Sequence, residues 1–191
     1  MRAVAEPYEQ VWREALPHLR TRKNDVHVPI SYRYAERLLE READADRDVV
    51  LLSVVLHDVG WAAVDRGAGM LAPDVRIAHE KEGARLAGEI LGRLGYAAGT
   101  VEAVAAIVDG HDTRREAISH EDELLKDADR LWRFTPTGVG IACDWFGLTP
   151  AGYADQLERD VLPELFTPLA LELARAELAG TRRLLLLDLL A

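Results

Sequence analysis

Apolar residues in this chain recur at spacings of three and four, and strict alternation of apolar and polar residues is scarce. Spacings of three and four place side chains on one face of an α-helix, whereas alternation places them on one face of a β-strand. The pattern therefore predicts an all-α fold. A hydrophobic fraction of 49% beside 29% charged residues is typical of a compact globular protein. A length of 191 residues predicts a single domain over residues 1–191.

Capping residues and glycines divide the chain into predicted helices. Polar caps, two of them followed by proline, favour helix starts at Asp46, at Ser119 with Asp122, at Thr149–Pro150 and at Thr167–Pro168. Gly60 and Gly95 are predicted to end helices. The predicted helices cover 8–19, a segment from 24 or 25 with Pro29 in its first turn, 46–60, 74–94, and segments that begin after 100, at 119, at 149 and at 167. We expect residues 25–135 to carry the functional motifs and the helices of 149–191 to pack on them.

The charge balance and the cysteine count exclude several classes of protein. A net charge of -10, from 23 Lys and Arg against 33 Asp and Glu, repels nucleic acid phosphates, so bulk binding to DNA or RNA is not expected. The one cysteine, Cys143, permits neither an intrachain disulfide nor a thiolate-rich zinc site, and we expect it to be a small buried apolar residue. No apolar run of about 18 residues and no secretion signal is recognised, so we expect a cytoplasmic protein without membrane contact. The run Leu184–Leu187 is expected to dock on the core or to form a homodimer contact.

Four histidines and two aspartates occupy positions that predict a metal centre. These residues are His27, His57, Asp58, His79, His111 and Asp129. The imidazoles fall on the apolar faces of predicted helices, and the His57–Asp58 pair ends the apolar run 49–56. Neutral imidazole and carboxylate are standard donors for divalent metal ions, although a hydrogen-bonded core histidine is the alternative for any one of these residues. Four such histidines, with a His-Asp dipeptide at the end of a central helix, favour the metal centre.

The order of these residues resembles that of the HD-domain superfamily of metal-dependent phosphohydrolases, in which a histidine precedes a His-Asp pair and a distant aspartate follows. Here His27 lies 30 residues before His57, and Asp129 follows alanine and precedes arginine. The resemblance covers residues 25–135 and implies a multi-helix bundle with His27, His57, Asp58 and Asp129 as metal ligands. It also implies that Asp58 is the catalytic residue that holds and orients the attacking water. Imidazole and carboxylate ligands suit iron, manganese or zinc better than magnesium.

Two further histidines are similar to those of family members that hold two metal ions. His79 lies in the segment 78–84, and His111 ends the segment 107–111. The resemblance implies that Asp58 then bridges two ions and that these two histidines bind the second one. The sequence therefore predicts one or two divalent ions.

Two aspartates lie close together near the end of this motif, and Asp129 rather than Asp127 is the predicted ligand. A helix places Asp129 on the same face as Leu125 and Trp132, which is an inward stripe. The neighbours of Asp127 on its own face predict a more solvated surrounding. The role that we predict for Asp127 is that of a hydrogen-bond acceptor that orients a ligating imidazole.

Basic residues close to the ligand positions are candidates for binding the phosphate of a substrate. The predicted substrate-binding residues are Lys81, Arg130 and Arg133, and further candidates are Arg114 and Arg115. The alternative for each of these residues is a solvated charge on the protein surface that does not bind substrate. Trp61 and Trp132 either line an apolar or base-stacking wall or pack in the core. No pattern is recognised in 132–165, so the expected partner is described only as a small phosphorylated molecule.

Residues beside the His-Asp pair exclude three subgroups of the family. Trp61 stands where cyclic-dinucleotide phosphodiesterases usually carry lysine, and Gly95–Tyr96 is followed by alanine rather than proline. The acidic pair of guanosine tetraphosphate hydrolases and the glutamate of bacterial deoxynucleotidases are absent from Val59–Ala62. A phosphohydrolase of another kind is the leading hypothesis.

Two other functions remain open on the same ligand order. One is a mixed-valent di-iron oxygenase, since residues 79–84 are similar to those enzymes, although Thr113 interrupts the Lys-Arg pair that usually follows the second extra histidine. The other is a non-catalytic ligand sensor. A lost metal ligand would favour the sensor, and none is lost from this sequence.

Overall fold

The computed structural model describes Val4 and residues 6–64 and 72–188. Within these residues the chain forms α-helices and short 3-10 or π turns and no β-strand, which confirms the predicted all-α fold. The helices are α1 (Glu9–Leu19), α2 (Asn24–Leu39), α3 (Arg47–Leu56), α4 (Pro73–Arg93), α5 (Ala98–Val108), α6 (His120–Leu131), α7 (Pro136–Phe146), α8 (Pro150–Gln156) and α9 (Pro168–Asp188). The short turns are Val59–Ala63, Trp132–Phe134, Leu157–Val161 and Leu162–Glu164.

Side-chain caps open helices where the sequence predicts them. The Asp46 carboxylate accepts hydrogen bonds from two backbone N–H groups of the first turn of α3, at 3.0 and 3.2 Å. The Ser119 hydroxyl accepts one from Asp122 at 3.2 Å. Each bond satisfies an N–H group that has no partner inside the helix. Gly95 follows α4 with a φ of +80°, which confirms it as the helix stop.

Several local predictions differ from the structure, and one of them is the start of α5, which lies at Ala98 and not after residue 100. Helix α7 is missing from the prediction, although Thr135 caps the N–H of Gly138 at 3.1 Å and is followed by proline, the same start as at 149 and 167. Pro29 lies inside α2 and beyond its first turn, where a proline removes one hydrogen bond of the helix. Helix α3 ends at Leu56, before Gly60, and the chain continues as the 3-10 turn Val59–Ala63.

Helix α3 lies at the centre of the bundle, because every residue from Val49 to Leu56 is buried. It packs against α2, α5 and α6, while α4 packs along α5 and along the turn Val59–Ala63. A helix that is apolar on all sides is stable only when neighbours cover all of them. The end of α3 therefore lies inside the bundle, and His57 and Asp58 follow it there.

The C-terminal part contacts this bundle through α9, which packs on α6 and α8. Leu184 is 49% exposed rather than docked on the core, and the side chains from 186 onward lie outside the described part of the chain. A homodimer contact at this run stays a prediction. Cys143 is half-buried and packs against the core, not fully inside it as expected. None of the described helices is long and apolar enough to cross a membrane.

Candidate metal centre

The six residues predicted as metal ligands lie around one point at the end of α3. The Nε2 atoms of His27 and His57 are 3.0 Å apart. Nε2 of His27 lies 3.5 Å from Oδ1 of Asp129 and 3.5 Å from Oδ2 of Asp58. Nε2 of His57 lies 3.3 Å from the same oxygen of Asp129 and 3.7 Å from that of Asp58. Imidazole and carboxylate donors that converge in this way could hold a divalent ion.

The other carboxylate oxygen of Asp58 faces the second pair of histidines. Oδ1 of Asp58 lies 3.7 Å from Nε2 of His79 and 3.5 Å from Nε2 of His111. Asp58 thus presents one oxygen to each imidazole pair. His57, Asp58 and His111 form a second group of donors that could hold a metal ion.

Backbone carbonyls fix the orientation of two of the imidazoles. Nδ1 of His57 lies 2.8 Å from the carbonyl oxygen of Val54, and Nδ1 of His111 lies 2.9 Å from that of Val108. A carbonyl oxygen only accepts, so Nδ1 carries the hydrogen in both rings. In the neutral ring the lone pair is then on Nε2, which points to the centre.

Several ring nitrogens of the site have no hydrogen-bond partner within the described residues. They are both nitrogens of His79 and Nδ1 of His27, all of them buried. An unsatisfied buried polar atom costs about 1–3 kcal/mol. A cation between the imidazoles would use the lone pair of His79 Nε2, so the donor set fits a divalent metal.

The buried carboxylates favour positive charge at this point. Burial opposes the ionisation of Asp58 and Asp129, but His57 outweighs it and holds the pKa of both carboxylates below its usual value. Burial lowers the pKa of His27 to about 4, so this ring is neutral near pH 7. Burial also disfavours the charged form of His57, but the two aspartates raise its pKa to about 9. A proton on His57 and a metal ion are therefore alternative ways to neutralise the carboxylates.

Gly60 lets the segment after α3 approach α4 closely. A Cβ at this position would lie 2.0 Å from the backbone oxygen of His79 and 2.5 Å from the backbone nitrogen of Gly83. No side chain fits at these distances, so the contact requires glycine. The prediction that Gly60 ends α3 is wrong, because α3 ends at Leu56 and Gly60 instead brings Asp58 beside His79.

Two buried charged residues hold the turn that carries His111, which lies beyond the end of α5. Glu80 accepts hydrogen bonds from the N–H groups of Asp112 and Thr113, both at 2.7 Å, and from the Thr113 hydroxyl at 2.6 Å. On the other side of the turn, Nζ of Lys126 donates hydrogen bonds to the carbonyl oxygens of Gly110 and His111, at 3.2 and 2.9 Å. The turn is therefore held between α4 and α6. Sequence reasoning identified neither Glu80 nor Lys126.

Two tryptophans stack on imidazoles of the site. The ring of Trp61 lies 3.8 Å from that of His79, and its Nε1 donates to Oδ1 of Asp58 at 2.9 Å. The ring of Trp132 lies 4.8 Å from that of His27. Both tryptophans were expected either to stack a base or to pack in the core. Each instead covers one of the predicted metal-binding imidazoles with a ring face.

Asp127 has a different environment from the one predicted. It is fully buried, not solvated, and it contacts no imidazole of the site in the structure described here. Its carboxylate accepts hydrogen bonds from the N–H groups of Phe166 and Thr167 and from the Thr167 hydroxyl, at 2.8, 2.9 and 2.8 Å. These groups lie at the start of α9, so Asp127 anchors α9 to α6 and does not orient a metal ligand.

A pocket of about 260 Å³ opens over the candidate ligands. Three arginines line it: Arg22, Arg76 and Arg133. Arg133 lies 3.3 Å from Asp129, and Arg76 pairs with Asp112 at 2.7 Å. Only Arg133 was predicted from the sequence. Arg22 precedes α2 and Arg76 lies one turn before His79 on α4, and neither position carries a recognisable motif.

The other residues predicted to bind phosphate lie outside this pocket. Arg130 lines a neighbouring cavity, together with Arg114 and Arg115. Lys81 is exposed on α4 and is not among the described residues that line the pocket. Of the predicted cations, Arg133 thus lines the pocket over the candidate ligands, and Lys81, Arg114, Arg115 and Arg130 are not among the described residues that line it.

Comparison with protein families gives one match. The model of the HD domain family matches residues 26–133, which is more than half of the chain and includes all six candidate ligands. No curated protein and no solved structure gives a significant match. The chain therefore belongs to the HD domain family.

Proposed function

We propose that this protein is a metal-dependent phosphohydrolase that acts on a small phosphorylated metabolite or nucleotide. The supporting observation is the position of three arginines around a pocket whose floor carries imidazole and carboxylate donors. Arginine binds phosphoryl oxygens through two parallel hydrogen bonds. A pocket of about 260 Å³ suits a small molecule and not a polymer.

The chain's own residues divide the work of such a reaction. A bound divalent ion would polarise a phosphoryl oxygen and lower the pKa of a bound water toward about 7. Asp58, between both imidazole pairs, accepts a hydrogen bond from the attacking water and orients it toward phosphorus. Trp61 fixes the Asp58 carboxylate through its indole N–H at 2.9 Å. Arg76 and Arg133 bind the phosphoryl oxygens, and their carboxylate partners hold both guanidinium groups in position.

We expect protein expressed in metal-supplemented medium and purified without a histidine tag to contain one or two first-row ions per chain. Imidazole and carboxylate ligands bind iron, manganese and zinc more tightly than magnesium. Alanine at His57 should remove more metal than alanine at His79, since His79 serves only the second ion. Elemental analysis measures both effects. A content below about 0.2 ions per chain would contradict the metal centre.

We also expect hydrolysis of a generic phosphate ester in the presence of manganese, measured as released phosphate. Asp58→Ala should lower the rate to background, because it removes both the group that orients water and a donor shared by the two imidazole pairs. Asp44→Ala, which changes an exposed aspartate outside the pocket, is the matched control and should keep the wild-type rate.

The same experiments separate the alternatives. An anaerobically prepared ferrous protein that consumes oxygen with a phosphonate or polyol, and releases phosphate from no ester, would support the di-iron oxygenase instead. A metal-loaded protein that does neither would support a ligand sensor.

A further inference from the structure

We infer that the turn between α1 and α2, residues 20–23, forms an anion-binding subsite for a second negative group of the substrate. This group is a carboxylate or a phosphate, distinct from the phosphoryl group that is cleaved. The inference rests on the proposed function, because the subsite extends the same pocket.

Arg22 places its guanidinium at the edge of the pocket. Its Cζ lies 3.7 Å from the centre of the Trp61 ring and 5.3 Å from that of Trp145. The Trp61 ring also stacks on His79 at 3.8 Å, so Arg22 lies on its other face. A guanidinium over the face of an aromatic ring is attracted to it electrostatically. Trp61 thus holds the cation of Arg22 beside the candidate metal centre.

The backbone of the turn adopts a conformation that is rare for residues with side chains. Arg22 and Lys23 have φ values of +53° and +60°, in the left-handed region. These two residues directly precede Asn24, the first residue of α2. Backbone of this kind is concentrated at ligand-binding segments.

Asn24, the residue that directly follows the turn, adds a buried donor to the central pocket. It is 1% exposed, it lines the pocket, and its amide nitrogen has no hydrogen-bond partner among the residues described. A buried donor without an acceptor is unfavourable unless a ligand supplies the acceptor. An anion at the turn would supply it.

The charges around the turn favour an anion. A cavity next to the central pocket shares Arg22 and Trp145 with it. The remaining residues that line this cavity are Arg20, Thr21, Lys23 and Asp25. Three cations against one carboxylate form a local positive patch in a chain whose net charge is -10. Such a patch concentrates anions at its surface.

The cavity on the other side of the central pocket is a weaker candidate. Its arginines already contact carboxylates: Arg76 with Asp112 at 2.7 Å, Arg114 with Asp122 at 2.9 Å and Arg130 with Glu164 at 3.8 Å. An anion there would compete with these ion pairs. The turn between α1 and α2 directly precedes Asn24, whose buried amide nitrogen has no hydrogen-bond partner among the residues described, so this turn is the better site.

Binding of matched phosphonates to the manganese-loaded protein tests the inference without turnover. Propylphosphonate and 3-phosphonopropionate have the same length and differ only in a terminal carboxylate, and longer homologous pairs scan the reach of the subsite. Calorimetry should give a Kd at least about tenfold lower for the carboxylate-bearing member of the best pair. Arg22→Gln should reduce this advantage to below about twofold, and Arg22→Lys should retain part of it. Arg33→Gln, an exposed position on α2, is the control and should retain all of it.

The outcomes distinguish the subsite from the proposed function. Equal affinity for both members of every pair, or loss of the advantage in Arg130→Gln and not in Arg22→Gln, would overturn the subsite alone. Failure of every phosphonate to bind the metal-loaded protein would overturn the proposed function and the subsite with it. Metal content measured on each variant shows whether the centre itself is intact.

Discussion

Alanine at Asp129 is expected to abolish stoichiometric metal binding, whereas alanine at Asp127 is expected to keep the metal and destabilise the fold. Oδ1 of Asp129 lies 3.5 and 3.3 Å from the Nε2 atoms of His27 and His57. The Asp127 carboxylate instead accepts three hydrogen bonds of 2.8 to 2.9 Å at the start of α9. Its removal leaves those donors without an acceptor, so the free energy of unfolding should fall by about 3 kcal/mol.

Two measurements separate the roles of the two aspartates. Elemental analysis gives the metal content of each variant, and urea denaturation gives its free energy of unfolding. Asp127→Asn keeps one acceptor oxygen in place and should be destabilised less than Asp127→Ala. Wild-type stability in Asp127→Ala, or loss of metal from this variant while it remains folded, would contradict the assignment.

The helices and the cluster of candidate metal ligands could be predicted from the sequence because both depend on local patterns. Apolar spacing and caps such as Asp46 and Ser119 act within one or two turns of a helix. His27, His79 and Asp129 lie on α2, α4 and α6, and His57, Asp58 and His111 lie just after the ends of α3 and α5. The order of these candidate ligands along the chain resembles a known family. The helix pattern and the family resemblance together were sufficient to predict His79 and His111 as candidate ligands, as well as the His57–Asp58 pair.

Residues whose role depends on a distant partner could not be predicted in the same way. Asp127 has polar neighbours on its own helix, but its actual partners come from the start of α9, about forty positions later. Glu80 and Lys126 bind a turn that only the packing of α4 and α6 brings between them. Arg22 lies in a turn whose direction depends on two left-handed residues. In each case the sequence shows an ordinary charged residue, and the tertiary structure supplies its function.

The role of Gly60 also depends on a tertiary contact, so we expect its substitution to change both the stability of the fold and the binding of metal. Gly60→Ala should lower the free energy of unfolding by about 3 kcal/mol or more and should reduce binding of the second ion. The new Cβ would lie 2.0 Å from the oxygen of His79 and 2.5 Å from the nitrogen of Gly83. Both atoms belong to the backbone of α4, so a side-chain rotation cannot relieve the overlap and the two segments must separate.

Two other glycines of α4 provide graded controls for Gly60→Ala. A Cβ at Gly92 meets nothing within 4 Å, so Gly92→Ala should be neutral or should stabilise the helix by about 0.5–1 kcal/mol. A Cβ at Gly83 would lie 3.1 Å from a Val108 methyl and 3.3 Å from the His57 carbonyl oxygen, so its effect should be intermediate. In the native fold, Nε2 of His79 lies 3.7 Å from Oδ1 of Asp58. Separation of the two segments should increase this distance and should leave the His27 side of the centre in place. A Gly60→Ala protein with native stability and two bound ions would show that this close contact does not set the geometry of the second site.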